Sequence, residues 1–389
     1  MRKPFLITIA LTIALCVLAS IDANAQPQQQ QNLPQRVISQ EFLTKYADKL
    51  EARLKGKSVG YSFTVAGVGA NSMVSRAGGD ARRAPDANPR KMTADDKFNI
   101  ASVSKTITAA AVLKILNEKK INVDALVHTF LHPQWKLGNN VKTITFRELL
   151  THRSGIRCEK EVTFLNLREC LADGVSLADK KTQKYNNMNF ALFRVIIPNL
   201  NGFGGGSTAD NSIGNSIAAA SYAQLYEKYV RENIFSPIGL RGIELKPVAT
   251  NPALAYQFPG PVGAGDSFGD MTETSASRGW NMSSKQLAVF LHNLLYTERI
   301  LPKAVTKQMK DEQLGLWKAE IQGTLVDYEH GGYYPGKNDQ GGLFNKGEMN
   351  TLALAFPNGV SVAIIINSQY GPGLSTANAA REAMKEALK

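Results

Sequence analysis

The stretch FNIASVSKTITAAAVLKIL, residues 98–116, sets two serines and a lysine ahead of a long apolar run. Its pattern predicts a helix entered near Ser102, with Lys105 one turn above it on the same face. An ammonium beside a hydroxyl stabilises the alkoxide. A desolvated, neutral amine can take the proton outright. Either effect would make Ser102 a nucleophile for a carbonyl. Ser104 points elsewhere on the helical wheel and lacks this relation. The plainer reading makes Ser102 an N-cap with no chemistry, and Ser-x-x-Lys alone does not decide between them. A further serine, Ser267, lies in GDSFG (265–269), which has the form of a nucleophile elbow. An elbow needs a strand before it and a helix after it. YQFPGPVGA and DMTETSAS supply neither, so the match reads as coincidence in a loop.

The elements around Ser102 must bring distant chain segments to it. The chain has 389 residues, 43% hydrophobic and 20% charged, enough for one large core or two smaller ones. Ser39 is placed to cap a helix whose apolar positions are Phe42, Leu43, Tyr46, Ala47, Leu50 and Leu54. SVGYSFTVA (58–66) alternates, with Val59, Tyr61, Phe63 and Val65 on one face, and predicts a strand. Residues 75–97 are basic, contain proline and read as loop. NTLALAFPNGVSVAIIIN (350–367) predicts a hairpin turning at Pro357-Asn358-Gly359, and STANAAREAMKEALK predicts a closing helix capped by Ser375. The middle, roughly 105–320, reads as helices and loops, including the Gly- and Ser-rich NGFGGGSTADNS (201–212). The expected class is α+β: an antiparallel sheet built from both chain ends, flanked by helices, with a mainly helical region inserted. Its natural cleft is the seam between the two parts.

The first 25 residues have a separate logic. Arg2 and Lys3 precede an apolar run from Phe5 to about Ala19, and Ala23 and Ala25 form an A-x-A site. This predicts a cleaved secretory signal peptide over 1–25, since the run is short for a membrane span. Residues 26–36, QPQQQQNLPQR, read as a disordered polar tether, which leaves 37–389 as the folded domain. Export implies an oxidising compartment, periplasmic or secreted, with no stable anchor after cleavage. Cys158 and Cys170 would then form a disulfide, worth about 3 kcal/mol in the loop-entropy picture. Two free buried thiols are the alternative. No histidine lies at ligand spacing beside them, so no metal and no cofactor is expected. The formal charge is +12 and its basic residues are scattered. That fits a soluble basic surface better than attraction to anionic cell-envelope polymers or lipid head groups, and no nucleic-acid partner is expected.

Two further short motifs give the serine a context. FNIASVSKTITAAAVLKILNEKKINVD and ITFRELLTHRSGI (144–156) resemble the serine β-lactamase and penicillin-binding-protein superfamily. Within it the resemblance is to the branch of class C β-lactamases, DD-peptidases, D-aminopeptidases and related esterases. Three motifs follow in the family's order: Ser102-x-x-Lys105, then Tyr185-Asn186-Asn187, then His330-Gly331-Gly332. The resemblance covers roughly residues 55 to 370. It implies acylation of Ser102, with Lys105 and Tyr185 sharing the proton work and a nearby lysine cation favouring the phenolate. It implies that Asn187 holds the substrate amide, and that the backbone N–H groups of Ser102 and Tyr333 form the oxyanion hole. Gly331 and Gly332 would let substrate approach the strand edge, and the bulky Tyr333 would narrow the cleft. His152 is assigned a structural role.

One departure bears on substrate. The third motif carries His330 where lactamase members usually carry lysine. Histidine is mostly neutral above about pH 6.5. The expected partner is therefore a small molecule or short peptide, cell-wall derived in one version: an ester, a D-amino-acid amide or a β-lactam-like compound. Ester or amide is favoured over the β-lactamase or DD-carboxypeptidase alternative. A member of another class, binding cell-wall peptide or a partner protein without catalysis, is the contrasting reading.

Overall fold

Ser39 accepts the Phe42 N–H at 3.1 Å and starts α1 (Gln40–Leu54), as its sequence predicts. The computed structural model describes residues 38–68, 73–205, 211–260, 263–335 and 347–389; the predicted leader and tether lie outside them. After α1 come β1 (Gly60–Gly67), β2 (Met73–Arg82), β3 (Arg90–Lys91) and β4 (Phe98–Asn99). The helical middle holds α2 (Ser104–Glu118), α3 (Phe146–Leu150), α4 (Phe164–Ala172), α5 (Asn187–Ala191), α6 (Phe193–Leu200) and α7 (Ser212–Val230). A short β5 (Asn281–Met282) pairs with β4, and α8 (Ser284–Tyr296) and α9 (Lys303–Asp311) follow. The chain closes with β6 (Trp317–Ile321), β7 (Thr324–Tyr334), β8 (Met349–Ala355), β9 (Val360–Ile366) and α10 (Thr376–Ala387).

The main sheet has seven antiparallel strands in the order β3-β2-β1-β9-β8-β7-β6. The fold is therefore α+β, with both chain ends meeting where β1 pairs with β9. Alternation along the strands sorts the two faces. Phe63, Val362 and Ile364 pack against Leu43, Leu50 and Met384 of the terminal helices α1 and α10. Ala353, Ala363 and Ile365 join the larger core under the helical middle. Burial of each such aliphatic side chain is worth about 1.5–3 kcal/mol.

Two strand regions depart from the sequence reading. Residues 75–97 were expected to be loop, but β2 runs through the first part. β1 is buried at every position, so its outer row of backbone groups needs a partner strand. Small residues hid that partner: a Cβ at Gly78 would lie 2.6 Å from the Tyr61 hydroxyl. The β6–β7 hairpin was also unforeseen. Its two turn residues, Gln322 and Gly323, take positive φ of 51° and 75°, a primed turn lacking the usual Asn or Asp signal.

Candidate active site

Ser102 does not cap α2. It lies in a 3-10 turn, Ala101–Val103, that runs into the helix, and the N-cap position falls on Val103 without a side-chain hydrogen bond. The turn is clamped from outside. Ala101 N–H donates to Asn99 Oδ1 at 2.7 Å, Ile100 N–H to the Trp280 carbonyl at 2.9 Å, and Thr351 Oγ1 to the Ile100 carbonyl at 2.9 Å. Ala101 is held at φ 46°, a left-handed conformation that costs a non-glycine residue energy. His152 (φ 55°) and Ala276 (φ 72°) do the same in two other loops at this site.

Released from capping, the Ser102 hydroxyl meets two side chains. Lys105 Nζ lies 2.9 Å from Ser102 Oγ, and Tyr185 Oη lies 2.7 Å from it. Lys105 is fully buried, and its Nζ also donates to Asn187 Oδ1 and to the Ser277 carbonyl, each at 2.8 Å. Those two oxygens can only accept. A neutral amine can therefore give them its two protons and turn its lone pair to the serine O–H. Burial, and then the charge of Arg278, hold Lys105 well below the ordinary lysine range. Tyr185 goes the other way from expectation. Its phenol is raised, because desolvation outweighs the Ser102 hydrogen bond and the pull of Arg278. The lysine cation that was to favour phenolate is itself disfavoured, so Lys105 is the better resting base.

The second motif is seated by Asn186, which caps α5 by accepting the Met188 N–H at 2.8 Å. Its Nδ2 donates to the Cys158 carbonyl at 2.8 Å. Cys158 is bonded to Cys170, with Cα atoms 5.5 Å apart. Asn187 thus starts α5 with Oδ1 committed to Lys105.

The third motif lies on β7, and β6 pairing stops at Glu329, leaving the outer edge from His330 onward without a strand partner among the described residues. His330 is 2% exposed, with Nδ1 against the Gly331 carbonyl at 2.8 Å. Burial, and then the neighbouring Lys105, push it down to about 3, well below the ordinary histidine range. Gly332 serves packing: a Cβ there would meet Thr351 Oγ1 at 2.3 Å and the Ile100 carbonyl at 2.6 Å. Gly331 is open, with nothing nearer than the Thr351 carbonyl at 3.9 Å. Tyr333 is 50% exposed and faces away from His330 and Gly332, its hydroxyl 3.4 Å from Glu348, so it does not narrow the cleft from within. Ser267 lies in an exposed loop and accepts the Gly269 N–H at 3.3 Å.

Three contributors were not legible in the sequence as site residues. The Ser277 carbonyl and Arg278 come from a loop with no signature of its own. The His152 ring lies tilted against the Tyr185 ring, centroids 4.5 Å apart, and burial, then Lys105, lower it to about 3. A signal existed only for His152, in LLTHRSGI. Among the described residues no group of three or more His, Cys, Asp or Glu side chains could hold a metal, and no helix is long and apolar enough to cross a membrane.

The beta-lactamase family profile matches residues 47–388. The chain belongs to the beta-lactamase family. Solved structures share this fold. The D-amino acid amidase of Ochrobactrum anthropi superposes with a TM-score of 0.67 at 18% identity, covering 90% of this chain and 100% of that one. A D-stereospecific amidohydrolase from a Streptomyces species gives 0.62 at 21%, covering 88% and 98%. Beta-lactamase-like protein 2 of Dictyostelium discoideum is 28% identical over 171 residues, 40% of this chain and 27% of that protein. This beta-lactamase-family chain spans between 27% and 62% of the lengths of the first curated relatives it matches.

Proposed function

We propose that the chain is an exported serine hydrolase that works through an acyl-enzyme on Ser102. The observation that carries this reading is the shared Ser102 hydroxyl, 2.9 Å from a fully buried Lys105 amine and 2.7 Å from the Tyr185 phenol. Lys105 takes the serine proton as Oγ attacks the carbonyl, and Tyr185 relays it to the leaving group. The Asn187 carboxamide nitrogen orients the substrate carbonyl, and the N–H groups of Ser102 and Tyr333 receive the oxyanion. Water then attacks the ester, with the same groups run in reverse.

The favoured substrates are short neutral esters and D-amino-acid amides, cell-wall fragments among them. A neutral His330 offers a substrate carboxylate no charge, and Arg278 is engaged by Glu161. Export is supported by the leader pattern and by the cysteine pairing. Intact-mass analysis after a fluorophosphonate should show one adduct, mapped to Ser102 and absent from Ser102→Ala. The mature protein should begin at Gln26, and turnover should be higher on a nitrophenyl ester or a D-amino-acid amide than on a chromogenic cephalosporin. Labelling that persists in Ser102→Ala removes the nucleophile. A cephalosporin hydrolysed far faster than the others makes the protein a β-lactamase.

A further inference from the structure

Arg278 directly follows the residue whose carbonyl holds Lys105. Its side chain is only 11% exposed and donates to Glu161. The guanidinium stands 5.7 Å from the Tyr334 ring centroid. Glu161 sits inside the loop closed by Cys158 and Cys170, and Tyr334 lies two residues beyond Gly332 on β7. Arg278 therefore joins three segments that each reach the nucleophile: the Ser277 loop through Lys105, the disulfide loop through Asn186, and β7 through Gly332. An ion pair on open surface would have little influence. Here the Arg278 guanidinium is mostly withdrawn from water, where a charge acts over a longer range.

Resting on the reading of Ser102 and Lys105 above, we propose that Arg278 is a positioning residue for proton transfer. Its fixed positive charge, set in place by Glu161, keeps the Lys105 amine unprotonated and ready to accept the serine proton. The other groups facing Lys105 carry no charge near neutral pH. Tyr185 is a phenol, and His152 and His330 are both neutral imidazoles. Behind the same loop, Arg194 donates to the Ser275 carbonyl at 3.5 Å, and the Glu273 charge acts on it. Arg278 is the one that acts on Lys105 after burial, and its charge also reaches Tyr185.

The two partners make opposite predictions. Arg278→Met removes the positive charge, so Lys105 protonates more readily. Glu161→Gln keeps that charge and removes its counter-charge, so Lys105 protonates less readily. The experiment is the rate of Ser102 labelling by a fluorophosphonate between pH 5 and 9. The acid limb should move up by roughly one pH unit in Arg278→Met, slowing labelling about tenfold on that limb, and should move down in Glu161→Gln. Arg278→Lys should keep the limb near that of the unaltered protein. A bridge that merely ties two loops together would give the same change from either partner, so shifts of one sign, or none, overturn the proposal. Where Arg278→Met does not fold, Glu161→Gln decides alone, because Glu161 is partly exposed and its change is nearly isosteric. An unaltered protein that is never labelled on Ser102 overturns the reading of the site itself, and this proposal with it.

Discussion

Two imidazoles share the buried neighbourhood of Lys105, and both are kept neutral chiefly because the pocket denies them water. His152 and His330 are each lowered to about 3, by burial first and by Lys105 second. The unfolded chain takes a proton at each position near pH 6.5, whereas the folded chain does not until about 3. Stability from this source is therefore complete above 6.5 and is lost as pH falls toward 3. Between pH 7.5 and 5 each histidine should cost about 2 kcal/mol. Urea unfolding at the two pH values measures the loss, and His330→Gln should lose about 2 kcal/mol less than the unaltered chain across that range. Equal losses in both proteins would mean that His330 is solvated. The resemblance supplied the identity of Ser102, Lys105 and Tyr185, but the direction of the Tyr185 shift was invisible, because desolvation is a property of neighbours distant in sequence.

At the scale of elements, the Ser102 turn depends on a single missing methyl. Gly332 lets β7 lie against Ile100 and Ala101, while Thr351 of β8 donates to the Ile100 carbonyl. Gly332→Ala should push this turn outward, costing about 1–3 kcal/mol and most of the turnover. Gly331→Ala, one residue away, meets open space and should keep its melting temperature within a degree or two. Thermal melts of the two variants, with ester turnover alongside, check the contrast; equal effects would refute it. The same comparison shows where sequence patterning stops. α1, the β8–β9 hairpin and α10 were legible because caps and apolar periodicity are local. β2 was not, because Ser75, Ala77, Gly78 and Gly79 owe their strand to the demand of β1 for a partner. The Ser277 loop was not, because a backbone carbonyl has no residue type.

For the whole molecule, the clearest anchor ties the closing helix to the sheet. Asp327 on β7 is fully buried and receives Arg381 of α10 at 2.7 and 2.9 Å, with Glu329 on the same guanidinium at 2.7 Å. Arg381→Met strands a buried carboxylate and should cost about 3–5 kcal/mol, whereas the double variant with Asp327→Asn should recover much of that. Chemical denaturation of the single and double variants tests it; no recovery would show that the arginine acts through packing alone. The sheet itself has a consequence in time. Thr351 holds the Ile100 carbonyl across 251 positions of chain, and β1 finds β9 only after Val360–Ile366 has been made. A polypeptide still emerging already carries Ser102 and Lys105, but the Trp280 and Thr351 clamps on the turn are not yet made. Any reactivity of Ser102 should therefore wait until β8 and β9 have been made, and proteolytic loss of those two strands should silence the serine without touching it.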